Sequence, residues 1–260
     1  MIEIAPHQLP ALARWFPAGV PGPSIVGEHA LVTGHGQWWA DHLRQRGAIA
    51  VTCAGHTVLR GSTEGLTPAS LAPLAHHHVD APARFLPLLN AAFDQVTPWE
   101  RMVWTQQVRA RPCRPPRGIH IRRLEPADTD GLVALGTDAD WISGSWGGPL
   151  GLAASGHAWT AADQGGRLLA IACTFFRGRQ YEDVAVFTVP DRRRHRLGLA
   201  CVTALTADIR DRGHLPSWNC SVLNRSSRLL AWTAGFRLVR EYVHYATGSA
   251  VSVASQRTAA

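Results

Sequence analysis

The 260-residue chain contains no lysine: all 26 of its basic residues are arginine. That absence excludes a Walker lysine on phosphates, a Schiff-base lysine for pyridoxal phosphate and the strand lysine of protein kinases. Alanine, glycine and proline are plentiful, so the codon bias of a GC-rich genome is the plain origin; the chemical exclusion holds whatever the cause. Charged residues are also few, 17% against 46% apolar, which excludes a disordered chain and leaves material for a real core. Long apolar runs are missing too. The longest, Leu168–Phe176, is far too short to span a bilayer, so no membrane partner is expected. The first ten residues, MIEIAPHQLP, lack a basic stretch followed by an apolar one, and no secretory signal is visible. Five scattered cysteines with no CxxC pair argue against a disulfide framework and for a reducing, cytoplasmic compartment.

What is present is an excess of positive charge, 26 − 19 = +7, which suits either a nucleic acid or a polyanionic cofactor. It gathers first in Arg109–Gly118 (RARPCRPPRG), where three prolines and four arginines can continue neither a helix nor a central strand. This stretch reads as a linker between an N-terminal α/β domain, 1–108, and a second domain, 119–248, with 249–260 as a tail. In the first domain Ala48–Cys53 and Thr57–Leu59 read as strands around Gly55. Thr67-Pro68 opens a short helix over Ala69–Ala75, Ala83–Phe93 carries a helical apolar stripe, and Met102–Val108 alternates as a strand.

The second domain reads β-α-β-β-β-α-β-α-β. Ile119–Arg122 is a strand and Asp128–Leu135 a helix. His157–Ala162, Leu168–Arg177 and Tyr181–Val189 are successive strands joined by short turns, so antiparallel pairing is expected. A helix spans Leu199–Arg212, Pro216–Val222 is a strand, Asn224 caps a helix running to Gly235, and strands follow in Phe236–Thr247. The informative stretch is Thr188–Ala200, TVPDRRRHRLGLA, where a strand ends, an arginine-rich turn follows and Gly198 stands where a helix starts. Backbone N–H groups and a positive dipole end would then face one point, which makes an anion site. The same residues also fit a solvated basic turn before an ordinary surface helix.

Strand, arginine-rich turn, Gly198-x-Ala200 and helix resemble the acetyl-CoA signature of the GNAT acyltransferase superfamily. Asn224-x-x-Ser227-x-x-Leu230-Ala231-x-x-x-Gly235-Phe236 is similar to that family's last helix and its terminal Gly-Phe. Pro216-Ser217-Trp218-Asn219 and Tyr181-Glu182 match the branch that includes zwittermicin-resistance-type acetyltransferases. The resemblance is specific over roughly 119–246 and weaker over 1–108.

It implies a GNAT-like α+β fold, a mixed and mainly antiparallel central sheet flanked by helices, preceded by a smaller α/β domain. It implies acetyl-CoA, or another acyl-CoA, as co-substrate, no metal, and a small-molecule amine as acceptor. By the same resemblance Phe187, Thr188 and Val189 would pair with pantetheine. Arg194, His195, Arg196, Leu197, Gly198, Leu199 and Ala200 would wrap the pyrophosphate, with Asn224 and Ser227 on the cofactor side. The chain departs from the pattern twice: Pro190 to Gly198 is two residues longer than usual, and His195 replaces the customary Arg or Gln.

Glu182 stands where part of the family has a general base, although a structural or substrate-orienting carboxylate is an equal reading. Asp183 points to the opposite face if the strand is regular. The family's frequent tyrosine is Ala231 here, which leaves Tyr245 as candidate proton donor beside Tyr242 and His244.

Gly144–Gly151 lacks the GK[ST] of a phosphate loop and reads as a substrate-side loop lined by Trp141 and Trp146. His76-His77-His78 reads as an exposed connection and Cys220 as a small buried hydrophobe. The first domain is expected to shape the acceptor pocket, to mediate a homodimer, or to be a decayed copy of the same fold. Two rival readings stand beside the transferase: a degenerate GNAT-fold protein that uses CoA or another acyl donor for sensing or non-amine chemistry, and an arginine-rich nucleic-acid-binding module. The latter has no helix-turn-helix or RNP-like pattern behind it, so a nucleic-acid partner is not expected.

Overall fold

A computed structural model describes residues 1–5, 12, 15–17, 19–42 and 47–251, so the C-terminal part of the expected tail, 252–260, lies outside the described residues. In chain order the elements are β1 (Ile2–Glu3), α1 (Ile25–Thr33), β2 (Gln37–Ala40), β3 (Ala48–Cys53), β4 (His56–Gly61), β5 (His78–Asp80), α2 (Leu86–Ala92) and β6 (Val96–Gln106). There follow β7 (Ile119–Arg123), α3 (Thr129–Val133), α4 (Pro149–Ala154), β8 (Ala158–Asp163), β9 (Leu168–Arg177), β10 (Tyr181–Thr188), α5 (Leu197–Asp211), β11 (Leu215–Ser221), α6 (Arg225–Thr233) and β12 (Phe236–Thr247). The fold is α+β with mixed, mostly antiparallel strands, as the sequence led one to expect.

The chain forms two compact units, one of residues 1–17, 26–101 and 241–260, the other of 18–25 and 102–240. The divisions fall inside β6 and β12, and the proline-arginine linker lies within the second unit. Residues 102–106, which precede the linker, therefore belong with the strands that follow it. Residues 241–247 end the second half of the sequence yet pair with the first, Tyr245 opposite Val79 and Ala246 opposite His78.

In the first unit the strand order is β1-β2-β3-β4-β5-β12, antiparallel throughout except for β4 beside β5. All six residues of β3 are buried, and Leu59, Leu71, Leu74, Val79, Phe85 and Leu89 close a core against it. Thr67 caps the following turn of 3-10 helix, Pro68–Leu74, through a reciprocal bond with Ser70. His78, expected in an exposed connection, opens β5 and is half-buried; the valine and aspartate after it carry the ladder that the triplet alone does not reveal.

In the second unit the order is β6-β11-β10-β9-β8-β7. Strand β9 is buried at nine of its ten positions, as a central strand covered on both faces must be. β10 pairs antiparallel with β9 and, after the α5 crossover, parallel with β11. The stretch 137–151 is not a loop. Thr137–Trp146 winds as 3-10 helix and Gly148 leads directly into α4, whose first residue is Pro149. The left-handed Gly147 and the positive φ of Gly148 turn the chain between the two.

Candidate active site

The site is built where β10 and β11 part. Their parallel pairing holds for three residue pairs, Tyr181 with Leu215, Glu182 with Pro216 and Asp183 with Ser217, and then ends. An irregularity in the β9 ladder falls at the same place: Asp183 faces Phe176 but Val184 faces Thr174, so Phe175 is the extra residue of a bulge. Beyond it the edge of β10 toward β11, Val184 to Thr188, has no strand partner. Ala185, Val186 and Thr188 are half-buried while Phe187 and Val189 are buried.

α5 begins beyond the end of that open edge. Its N-cap Arg196 has φ +61°, Arg194 has φ +67°, and no side chain caps the first turn. Left-handed backbone at two non-glycine residues costs about 1–3 kcal/mol each and clusters at functional positions. Here it aims an uncapped helix N-terminus at solvent, amid the exposed side chains of Arg192, Arg193, Arg194, His195 and Arg196. Arg193 donates to the Thr188 carbonyl at 3.3 Å and so ties the turn to the strand end. Gly198 earns its place by closeness: a Cβ there would lie 3.1 Å from Thr188 Oγ1 and 3.4 Å from Val186 Cγ2.

The two carboxylates at the fork differ in environment. Glu182 is fully buried on the α5 face. Arg212 donates to it twice, Nη2 to Oε2 at 2.6 Å and Nε to Oε1 at 3.2 Å, and Thr174 adds its hydroxyl. His214 Nδ1 stands 2.9 Å from Oε1. Burial pushes the Glu182 carboxyl up, but the bonds from Arg212 and Thr174 outweigh it and hold it below the ordinary range. Arg212 also binds Asp208, which accepts from Arg123 and from Trp159 Nε1. Glu182 is thus the buried hub of an ionic network with no open approach.

Asp183 projects to the other face. It is 7% exposed, its Oδ1 accepts from Asn219 Nδ2 at 2.7 Å, and it belongs to the last residue pair before the strands separate. Alternation along β10 made the two faces legible in the sequence; which face was closed depended on Arg212, thirty residues away, and was not.

His157 Nδ1 lies 3.8 Å from Glu182 Oε2, and its ring stacks on Trp146 at 5.1 Å. Burial lowers its pKa to about 4, Glu182 opposing and Arg212 assisting. A depressed folded-state value means that stability is complete above the unfolded pKa and is lost as pH falls through the folded one. The His157 contribution is therefore full at pH 7 and declines from about 6.5 toward about 4, reaching roughly 2 kcal/mol lost by pH 5. Urea unfolding at pH 7 and pH 5 should show a smaller decrement for His157→Gln than for the parent. Equal decrements would remove His157 as a source.

The remaining sequence candidates have definite places. Trp146 is buried and donates its indole N–H to Thr174 O at 2.7 Å, so it belongs to the core and not to a loop surface. Trp141 is 48% exposed beside Phe175. Asn224 accepts from Ser227 N at 3.0 Å as the cap of α6, and Ser227 Oγ accepts from Trp218 Nε1 at 3.0 Å, tying the start of α6 to β11. Tyr245 lies on the part of β12 that belongs to the first unit and packs against that unit's core. Cys220 is a buried cysteine outside any disulfide. Among the described residues no group of three His, Cys, Asp or Glu side chains has a metal-binding arrangement, and no helix is long and apolar enough to cross a membrane.

A mostly antiparallel sheet that opens between two parallel strands, with an uncapped helix beyond the opening, defines an acyltransferase-like class of α+β fold. Comparison with known proteins gives the class its family. The GNAT acetyltransferase family model matches residues 116–245. The chain is 56% identical over 214 residues to an uncharacterized N-acetyltransferase in the mutA 5′ region of Streptomyces virginiae, covering 82% of this chain and 90% of that one. It is 24% identical over 133 residues to the uncharacterized N-acetyltransferase YdfB of Bacillus subtilis, half of each chain. A GCN5-related N-acetyltransferase-like protein from Streptococcus suis has a similar fold, with TM-score 0.71 at 16% identity over 93% of this chain and 98% of that one. The chain belongs to the GNAT acetyltransferase family and is a GNAT-type N-acetyltransferase. Enzymes of this family use acetyl-CoA.

Proposed function

We propose that the protein transfers an acetyl group from acetyl-CoA to the amine of a small molecule by direct attack, at the fork between β10 and β11. The observation that carries this reading is the end of strand pairing at Asp183 and Ser217, which leaves a backbone edge free beside an uncapped helix start. Acetyl-CoA, when bound, supplies an activated thioester. The unpaired edge of β10, Phe187, Thr188 and Val189 included, would hold the extended pantetheine by main-chain hydrogen bonds. The N–H groups of Leu197, Gly198, Leu199 and Ala200 would take the pyrophosphate, and Arg194, His195 and Arg196 add donors around it. No lysine is needed.

The incoming amine is an ammonium in water and cannot attack until a proton leaves. Asp183 is the group we assign to that step: its carboxylate stands at the fork, on the face away from Arg212, and Asn219 orients it. Glu182 has a different task, fastening the end of α5 to β10 so that the fork keeps its shape. Trp141, an exposed residue of the 3-10 helix that packs on β9 and β10, would offer an apolar wall to the acceptor.

Calorimetric titration with acetyl-CoA and with free CoA tests the reading first. Saturable heat with both is expected, and no heat at millimolar ligand would overturn it. Turnover over a panel of amines, with mass detection of an acetylated product, tests the acceptor class. Replacing Arg194 and Arg196 together by Gln should weaken CoA binding about tenfold, roughly 1.4 kcal/mol, with a shallower salt dependence. An unchanged Kd would move the phosphates away from this turn.

A further inference from the structure

A second cluster of polar side chains lies wholly within the first unit, far along the chain from the fork's residues and unused by the chemistry above. Three histidines from three strands, His56 of β4, His78 of β5 and His244 of β12, come together with Trp99, Arg101 and Tyr242. Ring centroids are 5.7 Å apart for His56–His78 and for His56–His244, and 4.5 Å for His78–Trp99. Tyr242 meets His244 edge-on at 5.0 Å. Arg101 lays its guanidinium over Trp99 at 4.1 Å and donates Nε to Tyr242 Oη at 3.1 Å.

The cluster is incomplete as it stands. Arg101 is 8% exposed, and among the described residues it has no carboxylate partner and no acceptor for its outer nitrogens. The nearby Arg60 is already held by Asp80. His244, 3% exposed, buries an Nδ1 with no partner, and so does half-buried His78. Two ring nitrogens withdrawn from water without a partner are costly unless something completes them, and the outer nitrogens of Arg101, unpaired but still reaching solvent, leave a way in. Burial lowers the pKa of His56 to about 3 and that of His244 to about 2, with the charge of Arg101 adding to both, so these rings are neutral; the unpartnered Nδ1 atoms of His78 and His244 are the ones left to meet a ligand.

A metal ion does not fit. The fixed positive charge of Arg101 repels it, and the three rings are not in a metal-binding arrangement. What the groups have in common is a demand for a small anion with two acceptor oxygens: one for the guanidinium fork, one for the imidazole donors. A monoanion matches the single unpaired charge.

We propose that the His56–His78–His244–Arg101 cluster is a binding site for the carboxylate of a small organic acid. The test uses the full chain and three probes at fixed ionic strength, sodium acetate, sodium benzoate and sodium phosphate, with chloride as the balance salt. Histidine side-chain NMR follows each titration. Saturable shifts of His56, His78 and His244 with a carboxylate, absent with chloride, are expected; Arg101→Met should abolish them while acetyl-CoA affinity stays within twofold. If Arg101→Met fails to fold, Arg101→Lys gives the same reading, with carboxylate binding expected at least tenfold weaker. Shifts that stay linear in every probe, that saturate with phosphate alone, or that persist unchanged in the Arg101 variants overturn the proposal. Failure here would leave the acetyl-CoA titration untouched, since none of these residues belongs to the fork.

Discussion

An Asp183→Asn enzyme is expected to bind acetyl-CoA normally and to turn over about 10²–10⁴-fold more slowly than the parent. The substitution keeps the shape of the side chain and a contact to Asn219, while removing the capacity to take a proton. The loss should fall on kcat and on kcat/KM alike, because a proton acceptor acts in the transition state and not in holding the ground state. Calorimetry for binding and a continuous thiol-release assay for turnover separate the two effects. Full activity in the variant would return the proton to water or to the amine's own equilibrium.

Glu182→Ala should destabilise the protein by about 2–3 kcal/mol, because Arg212 loses both of its bonds to the buried carboxylate and keeps only Asp208. Urea denaturation of Glu182→Ala, Arg212→Met and the double variant measures this directly. The double variant should be more stable than the sum of the singles predicts, since removing both charges leaves no buried ion unpaired. Acetyl-CoA binding should decline with the fold and not before it. A Glu182→Ala protein with undiminished urea midpoint and no turnover would give this carboxylate a chemical role and take the assignment from Asp183.

These two neighbours show what the sequence could and could not convey. The fork's surroundings were legible: β9 and the helix cap at Asn224 were read at their observed positions, and β10 and α5 within two residues. Those features depend on local rules, apolar runs, caps and turns. The assignment of Glu182 as a candidate base also followed from position in a strand. What closed that position was a salt bridge from beyond the far end of α5, a contact between residues 182 and 212 that no local rule encodes. The same limit explains Trp146. Its setting among glycines suggests a loop, and contacts distant in sequence, with the carbonyl of Thr174 and the ring of His157, turn it into core. Likewise three consecutive histidines look like an exposed connection until β4 and β12 supply the neighbours of His78.

The exchange of strand segments carries a consequence for how the polypeptide comes into being. During synthesis the first unit cannot close when residues 1–101 have emerged; it must wait for 241–247, after the whole second unit has been made. The second unit, in turn, takes residues 102–106 from ahead of the linker. Cutting the gene at the proline-arginine stretch would therefore yield two open sheets, each with an exposed strand edge prone to pair with other chains. The two halves are one folding problem, completed only when residues 241–247 join the first sheet.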